Sequence, residues 1–116
     1  MKIRRGLICP VRGDGAEGRV KENIWRAIGW KVKNESPEVE AIVPFLELRK
    51  LLDEKIPEHR EAGMLAGRII YGTCHEVVVK LHGQKLMGGM LGDIEFCKAR
   101  GIPVIFEEEE KNVKEG

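Results

Sequence analysis

The run Cys74-His75-Glu76-Val77-Val78-Val79 decides the fold. Three consecutive β-branched residues without polar alternation mark a strand covered on both faces, as strands are in a parallel sheet. Downstream, Met90, Ile94 and Cys97 recur at helical spacing, Gly101 stops the run, and Ile102 to Phe106 reads as a last strand. Upstream, Pro57 suits the first turn of a helix, where its missing N–H costs nothing. Ala62, Leu65, Ala66 and Ile69 read as the apolar stripe of that helix, Gly63 and Gly67 as a low surface, and Gly72 as its cap. Further upstream lie a short helix within Leu46–Leu52 and a short strand, Glu40-Ala41-Ile42-Val43, stopped by Pro44. The first strand is Gly6-Leu7-Ile8-Cys9, stopped by Pro10. Val20, Ile24, Ala27 and Ile28 then form a helical stripe, with Gly29 as terminator. The order β-α-β-α-α-β-α-β predicts an α/β domain with a short parallel sheet. Right-handed crossovers place helices on both faces, and the expected strand order is 2-1-3-4.

The chain has 116 residues, which predicts one domain over 1–116. The run Glu107-Glu108-Glu109-Glu110 opens a solvated acidic tail from about residue 107. A composition 42% hydrophobic and 34% charged excludes a disordered chain. With a net charge of +1 there is no global attraction to phosphate backbones or anionic lipid, so neither nucleic acid nor a membrane is an expected partner. No apolar run approaches the roughly 18 residues of a membrane span. The start, Met1-Lys2-Ile3-Arg4-Arg5, is basic but lacks the apolar stretch of a signal peptide. Cys9, Cys74 and Cys97 are odd in number and contain no Cys-x-x-Cys, which reads as reduced thiols in a cytoplasmic protein.

In open parallel sheets, ligands bind beyond the carboxyl ends of the strands, where the strand order reverses. The expected order puts that crevice between strands one and three, at the loops Cys9–Gly18 and His82–Met90. Gly88-Gly89 opens a helix, where free N–H groups and the positive dipole end suit an anion. The same glycines also serve as a tight connection. Gly13-Asp14-Gly15-Ala16-Glu17-Gly18 matches G-x-G-x-x-G, yet Asp14 and Glu17 would set carboxylates beside a pyrophosphate. The chain also has one mononucleotide half, so the match reads as chance. Arg12 either pairs a phosphate or holds its loop. His59, His75 and His82 lack metalloprotease spacing, and no metal or cofactor is expected. Cys74 and His75 are neighbours whose side chains point to opposite faces, which excludes a Cys–His pair, and Cys97 reads as core. Neither G-x-S-x-G nor a Walker lysine is present. Trp25 lies off the helical stripe and Trp30 is read just past the helix end. Exposed Trp favours interfaces, and edge-of-core packing is the other reading.

Taken in order, these blocks resemble the nucleoside 2-deoxyribosyltransferase-like superfamily, especially its small bacterial and phage members. Cys9-Pro10-Val11-Arg12-Gly13-Asp14 is similar to the family's Ser-Pro-Tyr-Arg-Gly-Asp loop. Val43-Pro44-Phe45 is similar to its Val-Pro-His turn. Gly63 to Ile70 followed by Cys74-His75-Glu76-Val77-Val78-Val79 resembles its glycine-bearing helix, Cys-Asp-Glu and valine-rich strand. The run Met87-Gly88-Gly89-Met90-Leu91-Gly92-Asp93-Ile94 through Ala99-Arg100-Gly101-Ile102-Pro103-Val104 resembles its last block.

The resemblance implies a single Rossmann-like or flavodoxin-like domain that binds a nucleoside or nucleotide. It carries phosphate- or sugar-binding roles onto Cys9, Arg12, Gly13, Asp14, Gly88, Gly89 and Met90. It also implies N-glycosidic hydrolysis or deoxyribosyl transfer, with a carboxylate at the Asp93 position attacking the sugar C1′. A homodimer or higher homo-oligomer is implied as well. The sequence departs from the family at four functional positions. Asp93 replaces a glutamate, Val11 a tyrosine, Met87 a serine and His75 an aspartate. Asp93 therefore also reads as an acid in a first helical turn, where it stabilises the dipole. The alternative function is a catalytically inactive relative that acts as a binding or assembly module.

Overall fold

The computed structural model describes residues 2–12, 17–53 and 55–107. Four strands, β1 (Ile3–Ile8), β2 (Val39–Ile42), β3 (Glu76–Val79) and β4 (Val104–Phe106), form one sheet in the order β2-β1-β3-β4. Every pairing is parallel. The helices are α1 (Glu17–Asn34), α2 (Pro44–Leu48), α3 (Pro57–Tyr71) and α4 (Gly88–Ala99). The expected α/β class, element order and strand order are all present.

Strand alternation divides the core in two. Leu7, Cys9, Ala41, Val43 and Val78 face α1, where Ala27 and Trp30 cover them. Ile8, Val77 and Val79 face the other way, against Tyr71 of α3 and Met90, Ile94 and Cys97 of α4. Gly6 lets α3 come close. A Cβ there would lie 3.0 Å from Cys74 Sγ and 3.2 Å from both the Tyr71 ring and Val77.

The sequence expectations for the helices change in part, and the short helix expected within Leu46–Leu52 is α2 at Pro44–Leu48. Gly29 does not end α1, which runs five residues further to Asn34. Lys31 and Lys33 sit in the last turn, where cations suit the dipole, and Asn34 Nδ2 donates to Trp30 O at 2.9 Å. Trp30 therefore belongs to the helix and is 6% exposed, while Trp25 is 72% exposed. Of the expected stripe Val20, Ile24, Ala27 and Ile28, Ala27 is buried, Val20 and Ile24 are half-buried and Ile28 is exposed; the buried face of α1 is Asn23, Ala27 and Trp30.

The stripe assigned to α3 is also turned outward, with Leu65 58% and Ile69 71% exposed. Gly63, Gly67 and Tyr71, at i, i+4 and i+8, face inward instead. A Cβ on Gly63 would lie 3.3 Å from Leu52, and one on Gly67 would lie 3.9 Å from Pro44. The first contact is tight and the second ordinary, so α3 lies close against residues 44–52 along its glycine face.

At the amino-terminal edge of the sheet, Arg4 pairs with Glu40 at 2.8 Å and Arg5 with Glu76 at 2.6 Å. His75 Nδ1 accepts the Arg4 N–H at 2.8 Å. Polar demand is satisfied there, and the site lies at the opposite edge.

Candidate functional site

A cavity of about 570 Å³ opens beyond the carboxyl ends of β1 and β2, against the start of α4, within the size range of small-ligand pockets. The β1–α1 segment contributes Cys9, Pro10, Val11 and Arg12, and the start of α4 contributes Met87, Gly88, Gly89, Met90 and Asp93. The α2–α3 region closes the third side with Phe45, Leu48, Arg49, Leu52, His59, Arg60 and Met64. Of the residues singled out from sequence, Cys9, Arg12, Gly88, Gly89, Met90 and Asp93 all line this one cavity. Gly13 and Asp14 lie outside the described residues, as does most of the G-x-G-x-x-G run.

Asp93 is not in a first helical turn. α4 starts at Gly88, so Asp93 is its sixth residue and lies beyond the reach of the helix dipole's first turn. Its partner is on α3. Arg68 Nε donates to Asp93 Oδ1 at 3.0 Å, with both side chains largely covered. Burial raises the Asp93 carboxyl above its ordinary value, against the opposing pull of Arg68. The guanidinium passes over Gly92, where any Cβ would collide with Arg68 Nη2. Gly92 thus leaves the gap through which the pair forms. Asp93 is the one carboxylate lining this cavity among the described residues.

The other polar groups are set firmly. Tyr71 OH donates to Leu7 O at 2.6 Å, and burial drives the phenol well above its usual range. Cys9 is buried and its thiol is pushed up to about 12, so it stays protonated and is no nucleophile at neutral pH. His59 Nδ1 accepts the Asp53 N–H at 2.9 Å, which leaves the ring proton of the neutral form on Nε2. At the start of α4, the first intrahelical bond runs from Leu91 N to Met87 O at 3.0 Å. The amides of Gly88, Gly89 and Met90 precede it and have no acceptor in the helix.

Sequence reading missed the cations of the third wall. Arg49 and Arg60 come from the α2–α3 region, where the chain shows no motif and charged residues look like a solvated face. Arg12, Arg49 and Arg60 form no ion pair with any described carboxylate, whereas Arg4, Arg5 and Arg68 each do. It also missed Asn23, which is 2% exposed on α1. Asn23 Nδ2 donates to Val11 O at 3.1 Å, and Gln84 Nε2 donates to Asn23 Oδ1 at 2.8 Å. This amide pair ties the two loops of the strand-order reversal together. Its sequence signal was an Asn inside an apolar helical run, which periodicity counts as surface.

A second cavity of about 770 Å³ adjoins the first and shares Val11, Arg12, Phe45, Arg49 and Leu52 with it. No group of three or more potential metal ligands occurs among the described residues, and none of the described helices is long and apolar enough to cross a membrane. An apolar cavity whose arginines pair with no carboxylate among the described residues, with open helix amides and one largely covered carboxylate, can hold a flat apolar group and an anion together. Residues 7–107 match the profile of a family described as a domain of unknown function, DUF7768. No curated protein matches the chain significantly.

Proposed function

This chain belongs to the DUF7768 family, and we propose that it binds a phosphorylated nucleoside in the cavity between β1 and α4. One observation carries the reading: Arg12, Arg49 and Arg60 line an apolar cavity without carboxylate partners among the described residues. Phe45, Leu48, Leu52 and Met64 offer walls for a base. The Gly88 and Gly89 amides offer donors for sugar or phosphate oxygens, and the arginines offer phosphate contacts. The resemblance to nucleoside deoxyribosyltransferases supports the same ligand class. Reduced, buried Cys9, Cys74 and Cys97 fit a cytoplasmic setting.

A thermal-shift panel of nucleosides and their 5′-monophosphates tests this. Binding raises the melting temperature by mass action, and a 5′-monophosphate should shift it more than its nucleoside. Arg49→Ala should remove that difference. No shift with any nucleoside or monophosphate overturns the reading.

Binding without fast turnover is the form we infer. Asp93 Oδ1 is held by Arg68, and Val11 stands where the resemblance places a tyrosine to orient the carboxylate. Base release followed by chromatography separates this form from N-glycosidic hydrolysis or transfer. A hydrolase would release base and lose that activity in Asp93→Ala while retaining ligand. The inactive binding module releases none in either protein.

A further inference from the structure

Two cavities meet at one wall. Val11, Arg12, Phe45, Arg49 and Leu52 line both, so the two arginines face both spaces. The second cavity has apolar walls of its own in Val20 and Ile24 of α1. It adds Lys21 and Lys55, neither of which pairs with a described carboxylate. Asp53 is its one acid among the described lining residues, set against Arg12, Lys21, Arg49 and Lys55.

Two apolar chambers with their shared cations at the junction match a ligand of one shape. Such a ligand has a ring-bearing group at each end and its negative charge in the middle. A single nucleoside monophosphate fills one chamber and leaves Lys21, Lys55 and the Val20–Ile24 wall unused. A nucleoside diphosphate supplies the charge but nothing for the second apolar wall.

We propose, resting on the nucleotide reading above, that the ligand is a dinucleotide-type pyrophosphate, with one nucleoside in each cavity and the pyrophosphate on Arg12 and Arg49. Arginine is suited to the junction because its planar fork binds phosphate oxygens in pairs. The gain over a monophosphate comes from tethering, since the second nucleoside binds within the same complex once the first is seated.

Calorimetry compares three probes of the base that gives the largest thermal shift: the 5′-monophosphate, the 5′-diphosphate and the symmetric dinucleoside pyrophosphate. The dinucleotide should bind at least about tenfold tighter than the diphosphate. Lys21→Glu on the exposed face of α1 and Ile24→Asp should each abolish that advantage and leave the monophosphate affinity within about twofold. Equal affinity for diphosphate and dinucleotide overturns the proposal, because the second cavity then takes charge alone. Monophosphate binding with no gain from either longer probe also overturns it, while the nucleotide reading stands. Failure of all three probes to bind overturns both.

Discussion

Asp93 sits between two opposing influences, and their balance sets its pH behaviour. Burial disfavours the carboxylate, Arg68 favours it, and burial prevails, so the folded pKa lies above the ordinary 3.8. A raised pKa means that the folded state prefers the protonated form. The stability contributed by this group is therefore complete below the unfolded value and is lost as pH rises through the folded one. Asp93→Asn does not titrate. The melting temperature of the wild type should gain on that of the variant as the pH is lowered from neutral towards about 4. A wild type that loses ground over that range would show that Arg68 dominates instead. Gly92 permits a second test of the pair. In Gly92→Ala, the new Cβ meets only the far end of a flexible side chain, so Arg68 swings away. That leaves a largely covered carboxylate without its partner, at a cost of about 1–3 kcal/mol. Gly92→Ala should match Arg68→Leu both in ligand affinity and in the stability lost in urea. A loss in Gly92→Ala well beyond that of Arg68→Leu would place the clash in the backbone.

Among the elements, the strands were legible, the α3 face was not and the α1 face only in part, for a single reason. The strand signal in Val77-Val78-Val79 is hydrophobicity itself, and β3 is buried as expected. Helix faces were assigned from apolar periodicity, which fails wherever the inward residue is small or polar. α3 turns Gly63 and Gly67 towards residues 44–52, with Gly63 tight against Leu52, and its Leu65 and Ile69 are left outside. α1 turns Asn23 inward because Val11 O and Gln84 need partners there. The α4 stripe of Met90, Ile94 and Cys97 was legible because nothing polar or small interrupts it. Within the candidate site, motif-bearing residues such as Arg12, Gly88 and Asp93 could be found from sequence. Arg49, Arg60 and Arg68 could not, since only tertiary packing brings α2 and α3 to the cavity. The Asn23–Gln84 pair yields an element-level prediction. Removing one member of a buried amide pair leaves the other unsatisfied, at about 1–3 kcal/mol. Asn23→Ala should lose that much in urea unfolding, and Gln84→Ala added to it should cost less than the separate sum. Strict additivity would show that the two amides do not act together.

At the scale of the whole molecule, α1 contacts the sheet with one side and leaves an apolar stripe on the other. Trp25, Ile28 and Val32 recur at i, i+3 and i+7, with Trp25 and Val32 both 72% exposed. Gly29 lies within the stripe, and a Cβ there would meet nothing within 4 Å. Trp30, once grouped with Trp25, is core and takes no part. A large residue, a hollow at Gly29 and a medium residue in succession suit an antiparallel copy of the same helix. About that midpoint, Trp25 would oppose Val32 and Ile28 would oppose Gly29, the self-complementary pattern of a twofold contact. We propose self-association by this route. Light scattering should give a mass above 13.1 kDa that falls to the monomer in Val32→Asp, with the fold retained by circular dichroism. Gly29→Ala provides the control that separates packing from helix strength. In a monomer it should stabilise by up to about 1 kcal/mol, because alanine replaces an exposed mid-helix glycine. In the paired form, a Cβ in the hollow facing Ile28 should offset that gain and weaken association. A wild type that stays monomeric at high concentration, with Gly29→Ala simply more stable, would overturn the pairing and leave the stripe as bare surface.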